Sequence, residues 1–487
     1  MRIPLMLWII LGCRAITLSA QSSCSGIAKT PAVAADCAAR AIPIATAAVL
    51  DSNHTYSLAE LIDFAEHNNP RTRAAWEGAK QRAKDLGVEK SAYFPVVVFQ
   101  AIAGDQRDIV PEPEPFPPRG YVVVESPIVQ PALTLQYLLF DFGRRGARVD
   151  TALAEKVAAG AAFIQVNQDV AFHVASAYYR LLDAQERLQA TRETLKTAQT
   201  TQDAAEAQLS NGRATLPDVL NARAETSQAV FDLESADGDE KIARVLLAEE
   251  VGAEPSPNVS IISMNDAPLP ESISSSIEEL IARAMAARPD LAAQAAEIRA
   301  ADDRVRLARS EYRPRVTLSG TVAQTSIWPS ADYGQLGKAT ETTWSGALAV
   351  EWKVFDGGAR RNQLEAAESK RREAQDDLAE RRNKATREVW AAYIAFRTAL
   401  RRQQAAVSLL EAANESYSAS LEAYRYGVKN LIDVVTAERQ LARARLSGVS
   451  ARSQVFLGAV DLEHVTGNLL RTLPPATTLH KVDGPRK

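Results

Sequence analysis

A chain of 487 residues, 46% of them hydrophobic, has ample material for a core and room for roughly two to four ordinary domains. Its 56 basic against 60 acidic residues leave a formal charge of −4 with no basic block of the kind that tracks a phosphate backbone, so nucleic acid is set aside as a partner. Aromatic residues are only 6%, and Ala, Glu, Arg, Gln and Leu dominate two long stretches, the composition of long helices with tight seams.

The chain opens on Met1-Arg2 and an apolar run over residues 3–12, which reads as an export signal too short to span a membrane. Two processing sites compete. Ile10-Leu11-Gly12-Cys13 resembles a lipobox, which would end the signal at residue 12 and make Cys13 the candidate lipidation residue; Leu18-Ser19-Ala20 would end it at residue 20. With lipid on Cys13, Cys24 and Cys37 are left to pair in an oxidising compartment; with ordinary cleavage Cys13 leaves with the signal. Residues 21–56 then form a tether. No later stretch approaches about eighteen continuous apolar residues, so further membrane contact must use strands.

Ser57, with Glu60 three residues on, forms a capping box ahead of a helix whose apolar positions Leu58, Leu61, Ile62 and Ala65 carry it to about Lys90. Residues 96–102 supply a strand, the proline-rich residues 111–118 an exposed loop, and Leu133, Leu135 and Tyr137 alternate with Thr134 and Gln136 in a second strand. After the corner Phe140-Asp141-Phe142-Gly143, small or apolar residues recur at Ala177, Leu181, Ala184, Leu188, Leu195, Ala198, Ala205 and Leu209, interrupted at Thr191 and Gln202. Alternating steps of three and four make this a coiled-coil seam, and a helix over 144–211 is about 100 Å long. Gly212 ends it, and a shorter helix completes a first helix–hairpin–helix repeat over 57–255.

After a linker over 256–275, the same plan recurs over 276–469, followed by a polar tail over 470–487. Asn69-Pro70 and Pro95 match Arg288-Pro289 and Pro314 at an offset of 219; Phe140-Asp141, Ala177-Tyr178, Gly212 and Asp218 match Phe355-Asp356, Ala392-Tyr393, Gly427 and Asp433 at 215. Residues 316–322 form a strand, 327–340 a turn-rich loop, and 343–354 alternate strictly, with Trp344 and Trp352 eight residues apart on one face. That spacing spans about 26 Å before tilt, close to the aromatic-girdled apolar band of outer-membrane barrels. Gly357-Gly358 reads as a strand-to-helix corner, and the seam returns at Val389, Ala392, Phe396, Ala399, Ala406, Leu410, Ala413, Tyr417 and Tyr424 with a break at Gln403. Four strands cannot close a barrel, so closure has to come from other copies. Helices alone also fit a soluble bundle or rod carrying two hairpins. The five histidines show no metal-ligand spacing, and there is no phosphate loop or nucleophile elbow, so neither an enzyme nor a cofactor is expected.

The duplicated plan, the Asn69-Pro70 helix start, the paired Phe-Asp corners and the paired Gly-to-Asp turns together resemble the TolC-type outer-membrane efflux proteins over residues 56–469. The resemblance implies a mixed α and β fold, mainly α and internally duplicated. Each copy would supply four strands to a trimeric twelve-stranded transmembrane β-barrel, and long coiled-coil helices to a periplasmic α-barrel. It implies a passive gated export channel in the outer membrane of a Gram-negative bacterium, a homotrimer in outer-membrane lipid that works with a periplasmic adaptor (membrane-fusion protein) and an inner-membrane pump in tripartite efflux or type I secretion. The alternative of another class is a lipid-tethered or soluble periplasmic coiled-coil scaffold without channel activity. On the resemblance, the gate is formed by the turns carrying Gly212 and Gly427. Lys429 would reach Asp218 as a lock, and Asp433 would form an acidic ring about the threefold axis. Both aspartates also fit plain helix capping. Lysine offers no bidentate lock, and Thr436 stands where a second acidic ring would lie, so tight multivalent-cation block is not implied.

Overall fold

The structure is a computed structural model, and it describes residues 48–112, 119–262, 275–332 and 334–469. The export signal, Cys13, Cys24, Cys37 and the tail lie outside the described residues, as do residues 113–118 of the proline-rich loop. All elements below belong to the compact unit that starts at Leu50.

A short strand β1 (Thr55–Tyr56) pairs in parallel with β4 (Ser260–Ile261), so the end of the expected tether and the expected inter-repeat linker are structured together. Ser57 then caps helix α1 (Leu58–Asn68): its backbone N–H donates to Glu60 Oε2 at 2.8 Å, and Glu60 N donates to Ser57 Oγ at 3.3 Å. The single helix expected as far as Lys90 is instead two. Pro70 forces Asn69 out of the helical region, to φ −66° and ψ 128°, and Asn69 becomes the N-cap of α2 (Pro70–Ser91), its side chain accepting from Arg71 N at 2.8 Å. The second half repeats this with α5 (Ile277–Ala287), Arg288 at φ −68° and ψ 122°, and α6 (Pro289–Ser310).

Four long strands, β2 (Val96–Pro111), β3 (Tyr121–Phe140), β5 (Arg315–Ile327) and β8 (Ala339–Glu351), form an antiparallel sheet in that spatial order. A small hairpin, β6 (Ser330–Ala331) and β7 (Gly334–Gln335), folds from the β5–β8 loop onto β3. Its neighbour Asp332 receives Arg119 Nη2 at 2.7 Å. The register aligns Phe99, Leu133, Val322 and Trp344 in one row across all four strands, with Tyr137, Leu318 and Leu348 in another row on the same face. Thr134, Thr321 and Ser345 share the opposite face. One face is therefore apolar and the other largely polar, as alternation requires. The outer edges of β2 and β8 have no partner strand among the described residues, and the sheet does not close on itself. One expectation is corrected here. β8 ends at Glu351, so Trp352 lies beyond the strand that carries Trp344, and its indole N–H donates to the Tyr312 carbonyl at 3.0 Å.

Each hairpin hands over to a long helix through the same corner. Asp141 accepts from Gly143 N (3.3 Å), Arg145 N (2.7 Å) and Arg145 Nε (3.2 Å), while the Arg145 guanidinium reaches the Ala92 and Leu139 carbonyls and lies over the Tyr93 ring. Asp356, Gly358, Arg360, Val354 and Tyr312 repeat the arrangement. The corner needs a left-handed residue: Gly357 supplies it at φ 65° in the second half and Phe142 at φ 54° in the first. From these corners run α3 (Arg144–Ser210) and α7 (Ala359–Arg425), 67 residues each, which turn back into α4 (Leu216–Val251) and α8 (Leu431–Val465). Helix α3 packs on α4, α7 packs on α8, and α8 lies along α3 to join the two hairpins. Of the expected seam residues, Ala177, Leu181, Ala184, Leu188, Ala198 and Ala205 are buried, as are Val389, Ala392, Phe396, Ala399, Ala406, Ala413, Tyr417 and Tyr424. Midway along, Leu61, Ile62 and Ala65 of α1 seal against Val174, Tyr178, Leu181, Leu247 and Val251, and Leu280 and Ala284 of α5 seal against Val389, Phe396, Val455 and Leu462. No described helix is long and apolar enough to cross a membrane.

Candidate functional site

The two helix-ending turns lie at one end of this four-helix assembly, and both close as expected from the Gly-to-Asp pattern. Gly212 (φ 70°) donates to the Leu209 carbonyl and Arg213 N to that of Gln208; Gly427 (φ 76°) donates to Tyr424 and Val428 N to Ala423. These paired bonds absorb the free carbonyls of the helix ends. Three residues into the next helices, Asp218 Oδ2 accepts from Thr215 N (2.9 Å) and Thr215 Oγ1 (2.7 Å), and Asp433 N donates to Asn430 Oδ1 at 3.0 Å. Each carboxylate sits where the helix dipole favours it.

The structure does not bring Lys429 and Asp218 together within one chain. Lys429 Nζ donates to Ser420 Oγ at 3.2 Å, while Asp218 is occupied with its own helix start. Asp433 is exposed, and around the turns Leu216, Leu220, Tyr426, Val428 and Ile432 are exposed as well. Trp344 stands on the apolar face of the sheet, 81% exposed in the single chain.

What holds the two turns side by side is a set of contacts that the seam pattern did not single out. Gln208 Nε2 donates to the Arg425 carbonyl at 2.7 Å and the Tyr424 carbonyl at 3.3 Å. One turn pair higher, the Thr201 and Tyr417 hydroxyls are 3.1 Å apart, and Tyr417 Oη donates to the Thr197 carbonyl. Arg439 pairs with Glu225, its Nε at 3.1 Å from Oε2, and so ties α8 to α4. Further from the turns α3 and α7 part, leaving a groove of about 620 Å³ floored by Arg445 and Gly448 of α8 and walled by Gln185, Gln189, Gln403 and Val407. The helices thus converge towards the turns. The sequence did carry a signal: Thr194, Thr201 and Gln208 recur every seven residues, marking a polar stripe beside the apolar seam.

Glu438 lies in this convergence, 5% exposed, with Oε2 unpartnered. Burial raises its pKa, which the Thr201 hydroxyl opposes and the Glu225 charge reinforces. A carboxyl whose folded pKa lies above its unfolded value binds its proton more tightly when folded, so it costs stability as pH rises from the unfolded pKa upward. Glu438→Gln should therefore stabilise the protein by on the order of 1 kcal/mol at pH 7.5. The gain should disappear near pH 4; thermal melts at the two pH values check it, and an equal gain at both would exclude ionisation as its source. Burial likewise raises the pKa of Tyr417, and that of Tyr424, where the Asp218 charge adds to it.

Comparison with known proteins matches this arrangement in both halves. Residues 61–253 and 280–468 match the outer membrane efflux protein family. The chain is 28% identical to protein CyaE of Bordetella pertussis over 421 residues, 85% of each chain. It is 24% identical to outer membrane protein OprJ of Pseudomonas aeruginosa over 412 residues, 84% of each. Among solved structures, a membrane protein from Pseudomonas aeruginosa superimposes with a TM-score of 0.73 at 24% identity, covering 87% of this chain and 97% of that one. VceC of Vibrio cholerae superimposes with 0.68 at 22% identity, covering 84% and 96%. With both helical hairpins and the intervening strands inside the matched segments, the chain belongs to the outer membrane efflux protein family, a Gram-negative outer-membrane channel whose long helices occupy the periplasm.

Proposed function

We propose that three copies of the chain close a twelve-stranded barrel in the outer membrane, continued by a twelve-helix tunnel through which substrate leaves passively. The observation that carries this is the four-stranded sheet. Both of its outer edges lack a partner strand, and its apolar face, with Phe99, Leu133, Val322 and Trp344 in one row, is left exposed, among the described residues. In lipid an open edge leaves unpaired backbone groups, which edge-to-edge closure by further copies removes. The tunnel does no covalent chemistry, so energy and substrate choice belong to an inner-membrane pump joined through a periplasmic adaptor.

In this reading the converging turns are the closed gate, and threefold copies of Asp433 make its mouth negative and cation-selective. Lys429 and Asp218, separately engaged in one chain, would meet when neighbouring copies bring the turns together. A contact worth about 0.5–1 kcal/mol, made three times in the trimer and lost together, holds a closed–open balance by about ten- to 150-fold. Lys429→Ala should accordingly raise open probability by about that factor in planar bilayers; unchanged currents would remove the lock and leave the channel. The channel itself is tested by recording the detergent-extracted protein in planar bilayers alongside its mass by light scattering. Small cation-selective steps from a trimer are expected. A water-soluble particle that carries no current would return the coiled-coil scaffold to first place.

A further inference from the structure

Helices α3 and α7 begin 215 residues apart and have equal length, and α4 and α8 begin at Leu216 and Leu431, so each residue of the first hairpin has a counterpart in the second. Among the described residues the extended seam between the hairpins is α8 along α3, with shorter contacts near the turns. The corresponding faces, on α4 and α7, carry exposed Ile242 and Leu246 and exposed Trp390 and Ile394. Ala175, the counterpart of Trp390, is buried, and Tyr179, the counterpart of Ile394, stacks on Phe456 of α8 at 5.1 Å.

An ion pair, Glu186 with Arg452 at 3.9 Å, and a hydrogen-bonded contact, Asp169 with the imidazole of His464 at 3.1 Å, cross the α3–α8 seam; burial holds the His464 pKa below its usual value. Both put the acid on α3 and the base on α8. At the 215 offset, Glu186 becomes Arg401 and Arg452 becomes Asp237, while Asp169 becomes Lys384 and His464 becomes Glu249. The polarity is inverted at both positions, base on α7 and acid on α4. Arg401, Lys384 and Glu249 are exposed, Asp237 is half-buried, and among the described residues their ion pairs are local: Asp237 with Lys241 and Lys384 with Glu388, one turn away.

We propose that a second copy of this chain lays its α4 on α7 in the way α8 lies on α3. Arg401 then meets Asp237 of the neighbouring copy and Lys384 meets its Glu249, and the inverted polarity keeps the two seams distinct. If the neighbour offered α8 to α7, Arg452 would face Arg401. If α4 took the place of α8 on α3, Asp237 would face Glu186 and Glu249 would face Asp169. Like charges in juxtaposition reject each wrong arrangement. The inference rests on the trimer reading and assigns its interface to named residues.

The test uses the full chain extracted in detergent. Arg401→Glu and Asp237→Arg should each weaken trimer association by about tenfold across the three interfaces. The double exchange Arg401→Glu/Asp237→Arg should recover it to within about twofold, by the logic of a double-mutant cycle. A wild type that is monomeric by light scattering overturns the trimer and this interface together. A stable trimer indifferent to the single reversals, or one that the double exchange fails to rescue, overturns the interface alone. Because reversal at Asp237 also disturbs Lys241, Arg401→Cys/Asp237→Cys gives a second readout. A short thiol-reactive linker should join neighbouring copies, with single-cysteine variants as controls, and its failure to do so with both thiols modified overturns the proposed contact.

Discussion

Replacing Gly252 by alanine should destabilise the folded chain by about 2–5 kcal/mol, the largest loss expected from any single methyl group at these glycines. Two costs add there. Gly252 ends α4 at φ 80°, which costs an L side chain about 1–2 kcal/mol. A Cβ would also stand 2.7 Å from Asn69 Cα and 3.1 Å from Asn69 N, against backbone that Pro70 holds in place, an overpacking of about 1–3 kcal/mol. Gly467 occupies the matching place in the second half, at φ 73°, with its Cβ 3.0–3.1 Å from Ala287 C and O and Arg288 N. Gly212 has the same handedness at φ 70° and open space around it. Thermal melts of the three alanine variants should therefore rank Gly252 worst, Gly467 next and Gly212 mildest, at about 1 kcal/mol. Equal losses at Gly252 and Gly212 would mean that the α1–α2 break yields to the methyl group and is not the rigid stop argued here.

That break shows where the sequence was and was not legible. Apolar spacing continues past Asn69-Pro70, so periodicity alone runs one helix to Lys90; the restriction that proline places on its predecessor is what ends it. The long helices were legible because their seams repeat every seven residues over many turns, and the expected 144–211 differs from Arg144–Ser210 by one residue. The upper sheet was not. Pro127 and Pro131 sit inside β3 and read as breakers, yet both pair with β2 and drop out of the register with β5, so their missing N–H groups leave that ladder open and no pattern predicts it. The corners were half legible: Phe-Asp-Gly was matched between the halves, but Arg145 and Arg360, four residues after each Asp, complete the clasp. At the gate end the turns followed from Gly212 and Gly427, whereas the lateral contacts of Gln208, Thr201 and Glu438 join helices distant in the chain. Only the folded assembly places Gln208 beside residues 424–425.

Arg288→Met should cost about 2–3 kcal/mol at neutral pH, and the cost should shrink on acidification. In the duplicated plan Arg288 stands where the first half has Asn69, but it does not cap its helix with its side chain. Its guanidinium, 11% exposed, reaches Asp290 through Nη2 (2.7 Å) and Nε (3.1 Å), Glu388 through Nη1 (2.7 Å), and the Val465 carbonyl at the end of α8. One cation thus joins α6, α7 and α8. Removing one partner from a buried pair costs about 3–5 kcal/mol; Asp290 and Glu388 keep some hydration and Lys384 stays 3.8 Å from Glu388, which brings the figure down. Burial alone would raise the Asp290 pKa, but the Arg288 hydrogen bonds and charge outweigh it and hold the carboxyl below its usual value. A carboxyl with a depressed folded pKa contributes stability above its unfolded pKa, about 4, and loses it as pH falls through the folded one. Without Arg288 that contribution is gone, and burial then favours the protonated acid. Asp461, already raised by burial and by the Glu388 charge, would add to the repulsion. Melting wild type and variant at pH 7.5 and near pH 4 should show the gap narrowing at the lower pH. A gap of the same size at both would mean that the methionine fails by packing, and that the three helices are held at Arg288 by shape and not by charge.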